Sequence, residues 1–497
     1  MSADLTRLPQ KTYFRAMRMK LAVTAVLLLL FAILRIWRLT SYGLYGDEPF
    51  AVYLANHSWS ELFAAVIRDV VHPPLFYSLL KLWVGSFGDS LIAVKLFAVF
   101  FAISSIVPLI MVCRELRLSI EARNLFLWLV AVNAFLVFYS QELRMYSLLM
   151  VASGCVLLLF VKLLGVERQA MWKVQAALFA ANLVLIYSHY FGWMFVAVQF
   201  IVLLLQQREK LKAFSAMCAL LVTCFLPWAY LVAQAAKMKG GLAGNLSWNQ
   251  RPGIKDLLWY FINLNGAISY RWEGYGFAYK ILLGVYLVLT LFLIYALFRY
   301  AKNITRNAAL LAILLFAVAP PMLAFAASYL LPQSIWGIRF LVLSAAPYLL
   351  FLTLAVLNLE SQKLRKFVVL FLILWTGLSG YTELANREKL NVEKLVKEMM
   401  QAEVSQQQPI RIYTDNGLVG NTMQFYLDRF HEPRFEIVYV DNFEAIEDEY
   451  YWLAFLKYRF DNHPLVQDEV AAKGSQIERF FQTASPGHTV ILFAVRR

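Results

Sequence analysis

The sequence predicts a polytopic α-helical membrane protein, with interfacial helices in its first outer loop and a small α/β domain at its C-terminal end. Of its 497 residues, 61% are hydrophobic and only 16% are charged, and the mean hydropathy is +0.59. Soluble proteins are about half apolar and a quarter charged. Apolar runs of about 20 residues, the length that crosses a lipid bilayer, recur along the chain and stop near residue 382. These observations predict that lipid surrounds most of this protein.

The apolar runs predict eleven membrane-spanning helices, and the basic residues between them predict their orientation. The predicted spans cover residues 21–40, 91–113, 124–139, 146–164, 174–189, 191–205, 214–236, 276–298, 307–330, 339–358 and 366–381. Every second loop carries Lys and Arg, as cytoplasmic loops do under the positive-inside rule. These clusters lie within 114–123, 168–173, 208–212, 299–306 and 363–366. A basic leader precedes the first span, so we expect a cytoplasmic N-terminus and an outer C-terminal segment.

Three other interpretations of the sequence are disfavoured. The first apolar run is too long for a signal peptide and no small-residue cleavage site follows it, so we interpret it as a retained span. The formal net charge of +14 does not predict a nucleic-acid partner, because the Lys and Arg residues mark loops between spans. The four cysteines lie in or beside apolar runs, without the spacing of a disulfide framework or a zinc site.

Two regions outside the spans have a predicted structure. In the first outer loop, the apolar run 74–88 is too short to cross a bilayer and suits a helix that lies in the membrane surface. Residues 58–61 form a capping box for a short amphipathic helix before it. From about residue 385 the chain turns polar, with β-like runs at 410–414, 435–440 and 490–495. We therefore predict a transmembrane domain of residues 1–384 and an extracytoplasmic α/β domain of residues 385–497.

Two adjacent acids, Asp47 and Glu48, follow the first span directly. At the membrane boundary, burial can raise the pKa of a carboxyl group, which suits a general base. The alternative is structural, because acidic residues favour the N-terminus of a helix and Pro49 is tolerated in a first helical turn. These residues alone are compatible with both interpretations.

Other polar residues gather at the same predicted face of the membrane. They are His72 before two prolines, Glu142 and Arg144 in the turn between the third and fourth spans, His189 and Tyr190 at the next outer turn, and Arg339 at the outer start of the tenth span. Each has a structural alternative: a satisfied histidine, an interfacial ion pair or an arginine that reaches towards the lipid headgroups. Together, acids, imidazoles and arginines at one depth predict a site for an anionic lipid headgroup.

Several motifs in this set resemble the GT-C class of membrane glycosyltransferases, specifically the bacterial relatives of protein O-mannosyltransferases and of lipid A aminoarabinose transferases. The resemblance rests on Gly-Asp-Glu-Pro at 46–49, His-Pro-Pro-Leu at 72–75 and the run 139–148, and more loosely on 187–190 and 339–341. It covers residues 40–200 well and the later spans by topology only. The ordered combination of motifs is specific, whereas each motif alone is weak.

The resemblance implies an inverting transfer of a sugar from a polyprenyl-phosphate donor to an acceptor hydroxyl on a protein, a glycolipid or a cell-envelope glycan. Asp47 would be the general base, with Glu48 supporting it or contacting the acceptor. The other implied roles are donor-phosphate binding by Arg144, His72 and Arg339, and acceptor or sugar binding by Glu142, Tyr146, His189 and Tyr190. The implied partners are the donor lipid, the acceptor and membrane lipids, in a bacterial inner membrane with the site on the outer side.

The resemblance leaves the role of a metal open. Some relatives have Lys where His72 stands, and an acid just before that position, where this chain has Val70 and Val71. Glu142 and His189 are the only residues expected as ligands if a divalent metal takes part. No other cofactor is implied.

Two other functions compete with the glycosyltransferase. A flippase or transporter of lipid-linked sugars would also have many spans, but it needs ionisable residues along a path through the membrane, and here most lie at one surface. A non-catalytic membrane subunit, which binds a partner through its outer domain, would not depend on Asp47, Glu142 or Arg144. The clustered motifs favour the glycosyltransferase.

Overall fold

The chain forms two compact units. A computed structural model describes residues 10–167, 171–237, 249–266, 307–385, 390–403, 409–440, 446–458, 476–485 and 488–496, with single helical residues between 284 and 300. The helical unit contains Met1–Trp37, Trp59–Leu79 and Leu96–Ala385, and the sheet unit contains Arg38–Ser58, Leu80–Lys95 and Asn386–Arg497. The sheet unit therefore includes two segments from the first hundred residues together with the C-terminal region.

Helices make up most of the first 385 residues. They are α1 (Gln10–Ile36), α2 (Asp47–Asn56), α3 (Trp59–Asp69), α4 (Leu75–Phe87), α5 (Leu91–Ser104), α6 (Ile106–Glu115), α7 (Ile120–Val132), α8 (Ala134–Ser140), α9 (Tyr146–Gly165), α10 (Met171–Ser188), α11 (Gly192–Gln206), α12 (Arg208–Ala236), α13 (Ile254–Leu264), α14 (Ala308–Leu330), a 3-10 helix (Ile338–Ser344), α15 (Ala345–Leu357) and α16 (Gln362–Ala385). The short helices α2, α3 and α4 occupy the loop that the sequence predicts after the first span.

The protein is an integral membrane protein. Within the described ranges, eight helical stretches are long and apolar enough to cross a membrane: Met17–Ile36, Leu91–Glu115, Tyr146–Gly165, Met171–Ser188, Arg208–Ala236, Ala308–Leu330, Ile338–Leu357 and Gln362–Thr382. The bent pair α7 and α8 makes a ninth if it counts as one span. The predicted span 191–205 corresponds to the shorter apolar helix α11, and most of 276–298 lies outside the described residues. The polytopic helical fold is confirmed.

The third predicted span is broken at Asn133. The axes of α7 and α8 differ there by 57°. The Asn133 side chain accepts a hydrogen bond from the backbone N–H of Leu136 (3.1 Å) and donates one to the carbonyl of Leu264 (2.9 Å). In a membrane, backbone groups freed by a break need partners inside the protein, because lipid offers none. The sequence therefore contains the cap that the break requires.

Arg35, near the end of α1, completes this arrangement. Its buried guanidinium donates to the carbonyls of Val130 (2.9 Å) and Ala131 (2.7 Å), which belong to the last turn before the break. The side-chain amide of Gln141 donates in turn to the carbonyls of Arg35 (2.9 Å) and Trp37 (3.0 Å). The end of the first span thus fixes the start of the turn that contains Arg144.

The C-terminal region folds as an α/β domain, as predicted. Its elements are β1 (Ile410–Thr414), β2 (Phe435–Tyr439), β3 (Tyr450–Tyr458), β4 (Gln476–Ser485), β5 (His488–Arg496), α17 (Val392–Ala402) and α18 (Gly417–Arg429). The strand order is β2-β1-β3-β5-β4, with β1 parallel to β2 and β3, and β5 antiparallel to β3 and β4. One face of the sheet buries Tyr413, Leu453, Phe493 and Val495. The strands β3 and β4 are absent from the sequence prediction.

Candidate functional site

His72 has a direction that its neighbours fix. Helix α3 ends at Asp69, and Val70 then takes a left-handed backbone conformation with φ of 52°. This conformation is strained for a β-branched residue. The carbonyl of Val70 accepts a hydrogen bond from the Tyr190 hydroxyl (3.2 Å). Two prolines follow His72 and lead into α4, so the side chain of His72 leaves a short and rigid turn.

The His72 imidazole is buried between a carboxylate and two rings. Its Nδ1 lies 3.4 Å from Oδ2 of Asp69. Its ring centroid lies 5.7 Å from that of His189 and 5.9 Å from that of Phe340. Burial raises the pKa of Asp69, and the nearby positive charge of Arg144 opposes that rise. A carboxyl group therefore lies beside His72, and the positive charge of Arg144 is close enough to that carboxyl group to affect its pKa.

His189 is a neutral imidazole in this cluster. Its Nδ1 accepts a hydrogen bond from the backbone N–H of Phe191 (3.1 Å), which leaves Nε2 as the nitrogen that carries hydrogen. Burial lowers the pKa of His189 well below 6.5, and the positive charges of His72, Arg339 and Arg144 lower it further. A buried imidazole of this kind can donate one hydrogen bond to a ligand without adding charge.

Arg144 supplies the buried cation. Its backbone N–H donates to the carbonyl of Glu142 (2.8 Å) in the tight turn before α9. Its Nη1 donates to the hydroxyl of Tyr77 (3.1 Å), a buried residue of α4. A planar guanidinium fixed in this way keeps further N–H groups in a rigid fork that suits a phosphate or a carboxylate.

Phe340 lies at the centre of the cluster. Its ring centroid is 4.5 Å from that of His189 and 6.4 Å from that of Tyr146, and the Arg339 guanidinium carbon is 5.0 Å from its ring centroid. Gly337 makes room for this ring, because a Cβ at that position would lie 2.7 Å from a ring carbon of Phe340. An aromatic ring surrounded by imidazoles and arginine excludes water from the cationic groups, which strengthens their field.

The two predicted acids belong to the sheet unit. Asp47 is the first residue of α2, and Gly46 before it has φ of 72°, a conformation that glycine adopts without strain. Glu48 is buried, and its Oε1 accepts from Nζ of Lys95 (2.5 Å) while its Oε2 accepts from the backbone N–H of Tyr45 (3.2 Å). The Glu48 and Lys95 side chains are each only 3% exposed. Glu48 is thus a held carboxylate, whereas Asp47 is half-buried at a helix N-terminus.

The structure groups the predicted residues by unit. The helical unit brings together His72, His189, Arg339 and Tyr146 around Phe340, and the charge of Arg144 is close enough to lower the pKa of His189. Tyr190 bonds the carbonyl of Val70, and Glu142 lies in the turn before Arg144. The sequence prediction lacks Asp69, Tyr77 and Lys95. Of these three, only Asp69 could be inferred from nearby sequence, because it lies three residues before His72 at the end of a helix.

A metal site needs several ligating side chains close together. Over the residues whose placement is described, no group of three or more His, Cys, Asp or Glu side chains could hold a metal ion. The two expected ligands, Glu142 and His189, precede α9 and α11 respectively. Because Nδ1 of His189 is occupied by the Phe191 N–H, only its Nε2 would be available to a metal.

Comparison with known proteins identifies the fold. No protein-family model matches the sequence, and no curated protein matches it. The structure of ArnT from Cupriavidus metallidurans in the apo state matches with a TM-score of 0.55 at 12% identity, over 96% of this chain and 98% of that one. The same ArnT bound to undecaprenyl phosphate matches with a TM-score of 0.57 at 13% identity, over 95% and 97%. The likeness covers nearly the whole of both chains, and this chain therefore has the GT-C fold of the ArnT structures.

Proposed function

We propose that this protein is a glycosyltransferase that moves a sugar from a polyprenyl-phosphate-linked donor to an acceptor hydroxyl at the outer face of the membrane. The observation that carries the proposal is the cluster of His72, Arg339 and the buried Arg144 around His189 and Phe340. A protein of the same fold binds undecaprenyl phosphate. An anionic lipid phosphate is the ligand that such a cluster would stabilise best.

In this proposal the three cations bind the donor phosphate. Arg144 keeps its charge at every physiological pH, and its contact with Tyr77 holds the guanidinium in place. Asp69 lies 3.4 Å from Nδ1 of His72 and would hold the orientation of the imidazole towards the phosphate. Arg339 is half-buried over the Phe340 ring. When the bond between sugar and phosphate breaks, the lipid phosphate gains negative charge, which these groups would stabilise.

The remaining residues of the cluster would contact the sugar or the acceptor. His189 would donate one hydrogen bond through Nε2, because its Nδ1 already accepts from the Phe191 N–H, and a neutral imidazole would not repel the neighbouring cations. Tyr146 packs 4.9 Å from Tyr139, between ring centroids, and presents an aromatic surface of the kind that sugars stack on. Glu142 and the hydroxyl of Tyr190 complete the set of proposed polar contacts.

Asp47 is proposed as the general base. It would take the proton of the acceptor hydroxyl while that oxygen attacks the anomeric carbon from the side opposite the phosphate. The sugar–phosphate bond breaks, its electron pair stays on the polyprenyl phosphate, and the configuration inverts. Glu48 would act indirectly, because both of its oxygens are engaged by Lys95 and the Tyr45 N–H. The proposed location is a bacterial inner membrane, and the distribution of basic loops supports a reaction on its outer side.

The decisive experiment identifies the donor. The protein is purified with its native lipids, and bound lipids are identified by mass spectrometry; a polyprenyl-phosphate-linked sugar is expected. Binding of undecaprenyl phosphate to the purified protein is then measured for Arg144→Gln and for a control, Arg114→Gln, whose side chain is exposed.

Loss of binding in Arg144→Gln alone supports the proposal. Equal binding by both variants, or purification without any polyprenyl lipid, contradicts it. A flippase would move the intact lipid-linked sugar across a vesicle membrane without releasing free polyprenyl phosphate, so release of the phosphate distinguishes the two functions.

A further inference from the structure

A tyrosine of the C-terminal domain holds the segment that precedes Asp47. Tyr426 lies on α18, and its side chain is buried. Its hydroxyl donates to the carbonyl of Leu44 (2.9 Å) and accepts from the backbone N–H of the same residue (2.5 Å). A hydroxyl has one hydrogen and two lone pairs, so it can make both bonds at once. One side chain therefore fixes both backbone groups of Leu44, three residues before Asp47.

Glycine at position 43 permits this contact. A Cβ on Gly43 would lie 2.4 Å from the Tyr426 hydroxyl oxygen and 3.0 Å from Oε2 of Glu393. Real Cβ atoms do not approach other atoms so closely, so any side chain at position 43 would displace the tyrosine or the backbone. Beyond Leu44, Gly46 makes the turn with φ of 72° that starts α2 at Asp47. Only Tyr45 and Gly46 separate Leu44, which the hydroxyl holds, from Asp47.

A second residue of α18 holds the opposite end of α2. Arg429 donates through Nη2 to the carbonyl of Asp89 (3.2 Å), and its Nη1 lies 3.6 Å from Oδ2 of Asp89. The same Oδ2 accepts from the side-chain amide of Asn56 (3.1 Å), the last residue of α2. Residues three apart on a helix share one face. One face of α18 therefore bonds the chain before α2 directly, through Tyr426, and is linked to the end of α2 through the contact of Arg429 with Asp89.

We propose that Tyr426 is a positioning residue that sets the place of the Asp47 carboxylate, with Arg429 as a second tether. The proposal rests on the proposed function, because it takes Asp47 to be the base. It gives the C-terminal domain a task in the reaction: the domain holds the backbone that carries the base. Proximity of reacting groups depends on such support, and a displacement of about 1 Å can cost roughly 100-fold in rate.

The test compares turnover with binding. Tyr426→Phe removes only the hydroxyl and keeps the ring in place. We expect kcat to fall by roughly 10- to 100-fold, measured as undecaprenyl phosphate released from the donor lipid in source membranes that contain the native acceptor. Binding of undecaprenyl phosphate should stay unchanged. The matched control is Tyr439→Phe, an exposed tyrosine of the same domain whose hydroxyl bonds Asn421, and it should keep full activity.

A double-mutant comparison separates this proposal from the assignment of the base. If Tyr426 acts through Asp47, Tyr426→Phe should have no further effect on kcat in an Asp47→Asn background. If the two substitutions lower kcat by factors that multiply, the positioning role is wrong. Full activity of the single Tyr426→Phe protein would also overturn it. Full activity of Asp47→Asn would instead overturn the proposed base, whatever Tyr426 does.

Hydrogen exchange and a second variant distinguish loss of the tether from loss of the fold. Hydrogen exchange of the whole protein should show faster exchange at 44–56 in Tyr426→Phe and unchanged exchange in the strands β3 and β5. If that protein does not fold, Gly43→Ala keeps the hydroxyl but forces it apart from Leu44. The same loss of kcat with retained lipid binding is then expected, and wild-type kcat would refute the tether.

Discussion

The imidazole of His72 and the carboxylate of Asp69 face each other, with 3.4 Å between Nδ1 and Oδ2. At this distance the carboxyl group orients the imidazole and influences which ring nitrogen carries hydrogen. Asp69→Asn should therefore weaken binding of undecaprenyl phosphate at neutral pH by roughly 3- to 10-fold, the effect of a contact worth about 1 kcal/mol. Titration of the purified protein with the lipid checks this. His72→Lys should bind without dependence on Asp69; an Asp69→Asn protein with wild-type affinity throughout would contradict the pairing.

Arg144 should be the largest single contributor to phosphate binding. Arg144→Gln removes a buried cation and should weaken undecaprenyl phosphate binding by about 2 kcal/mol or more, which is roughly 30-fold. Arg144→Lys should recover only part of the lost affinity, because an ammonium group cannot reproduce the planar guanidinium that Tyr77 holds. Tyr77→Phe removes only the hydroxyl that holds the guanidinium, and it should weaken lipid binding by about 1 kcal/mol. Equal affinity of the Lys and Gln variants would show that charge at this position is irrelevant.

His189 should make the folded protein sensitive to acid. Its pKa is lowered by burial and by neighbouring positive charge, so the unfolded chain binds a proton below about pH 6.5 while the folded protein does not. The stabilisation is present above that pH and is lost as pH falls towards the lowered pKa of the folded state. Thermal unfolding in detergent between pH 7 and pH 5 measures this loss. His189→Gln cannot titrate and should flatten the profile; an unchanged slope would assign the acid sensitivity elsewhere.

We expect Glu48 to contribute mainly to the stability of the folded protein rather than to the reaction. Glu48→Gln leaves the buried ammonium of Lys95 without its carboxylate, which should cost roughly 3–5 kcal/mol of unfolding free energy. Glu48→Gln with Lys95→Met removes both charges and should restore most of the thermal stability. Glu209→Gln, at an exposed position, serves as the control. If the double variant is stable yet inactive, Glu48 has a role in the reaction as well.

The sequence indicates that several polar residues share one depth, because most of them lie where apolar runs end. Arg144, His189 and Arg339 each flank an apolar run, and His72 lies in the outer loop after the first span. Ends of spans on one side of a membrane lie at similar depth. Helix packing then brings them around Phe340. Periodicity and run length are local properties, so this much of the site can be inferred without coordinates.

Partners distant in sequence could not be inferred in the same way. Lys95 pairs with Glu48 across 47 positions, and Tyr426 bonds Leu44 across 382. No periodic pattern encodes such pairs, because they depend on the three-dimensional path of the chain. Strand β3 was missed for a different reason: its continuous apolar sequence is compatible with a buried helix as well as with a central strand.

Arg35 has a consequence for how the protein is made. On its own, the first span carries a charge near the end of its apolar stretch, which opposes insertion into lipid. The carbonyls that accept its hydrogen bonds belong to residues 130 and 131, which a ribosome delivers roughly 20 seconds or less later at ordinary elongation rates. Until they arrive, the nascent helix has to keep its guanidinium in the headgroup layer or in the translocation channel. Arg35→Leu should therefore insert more readily at the start of synthesis and yet yield a less stable finished protein.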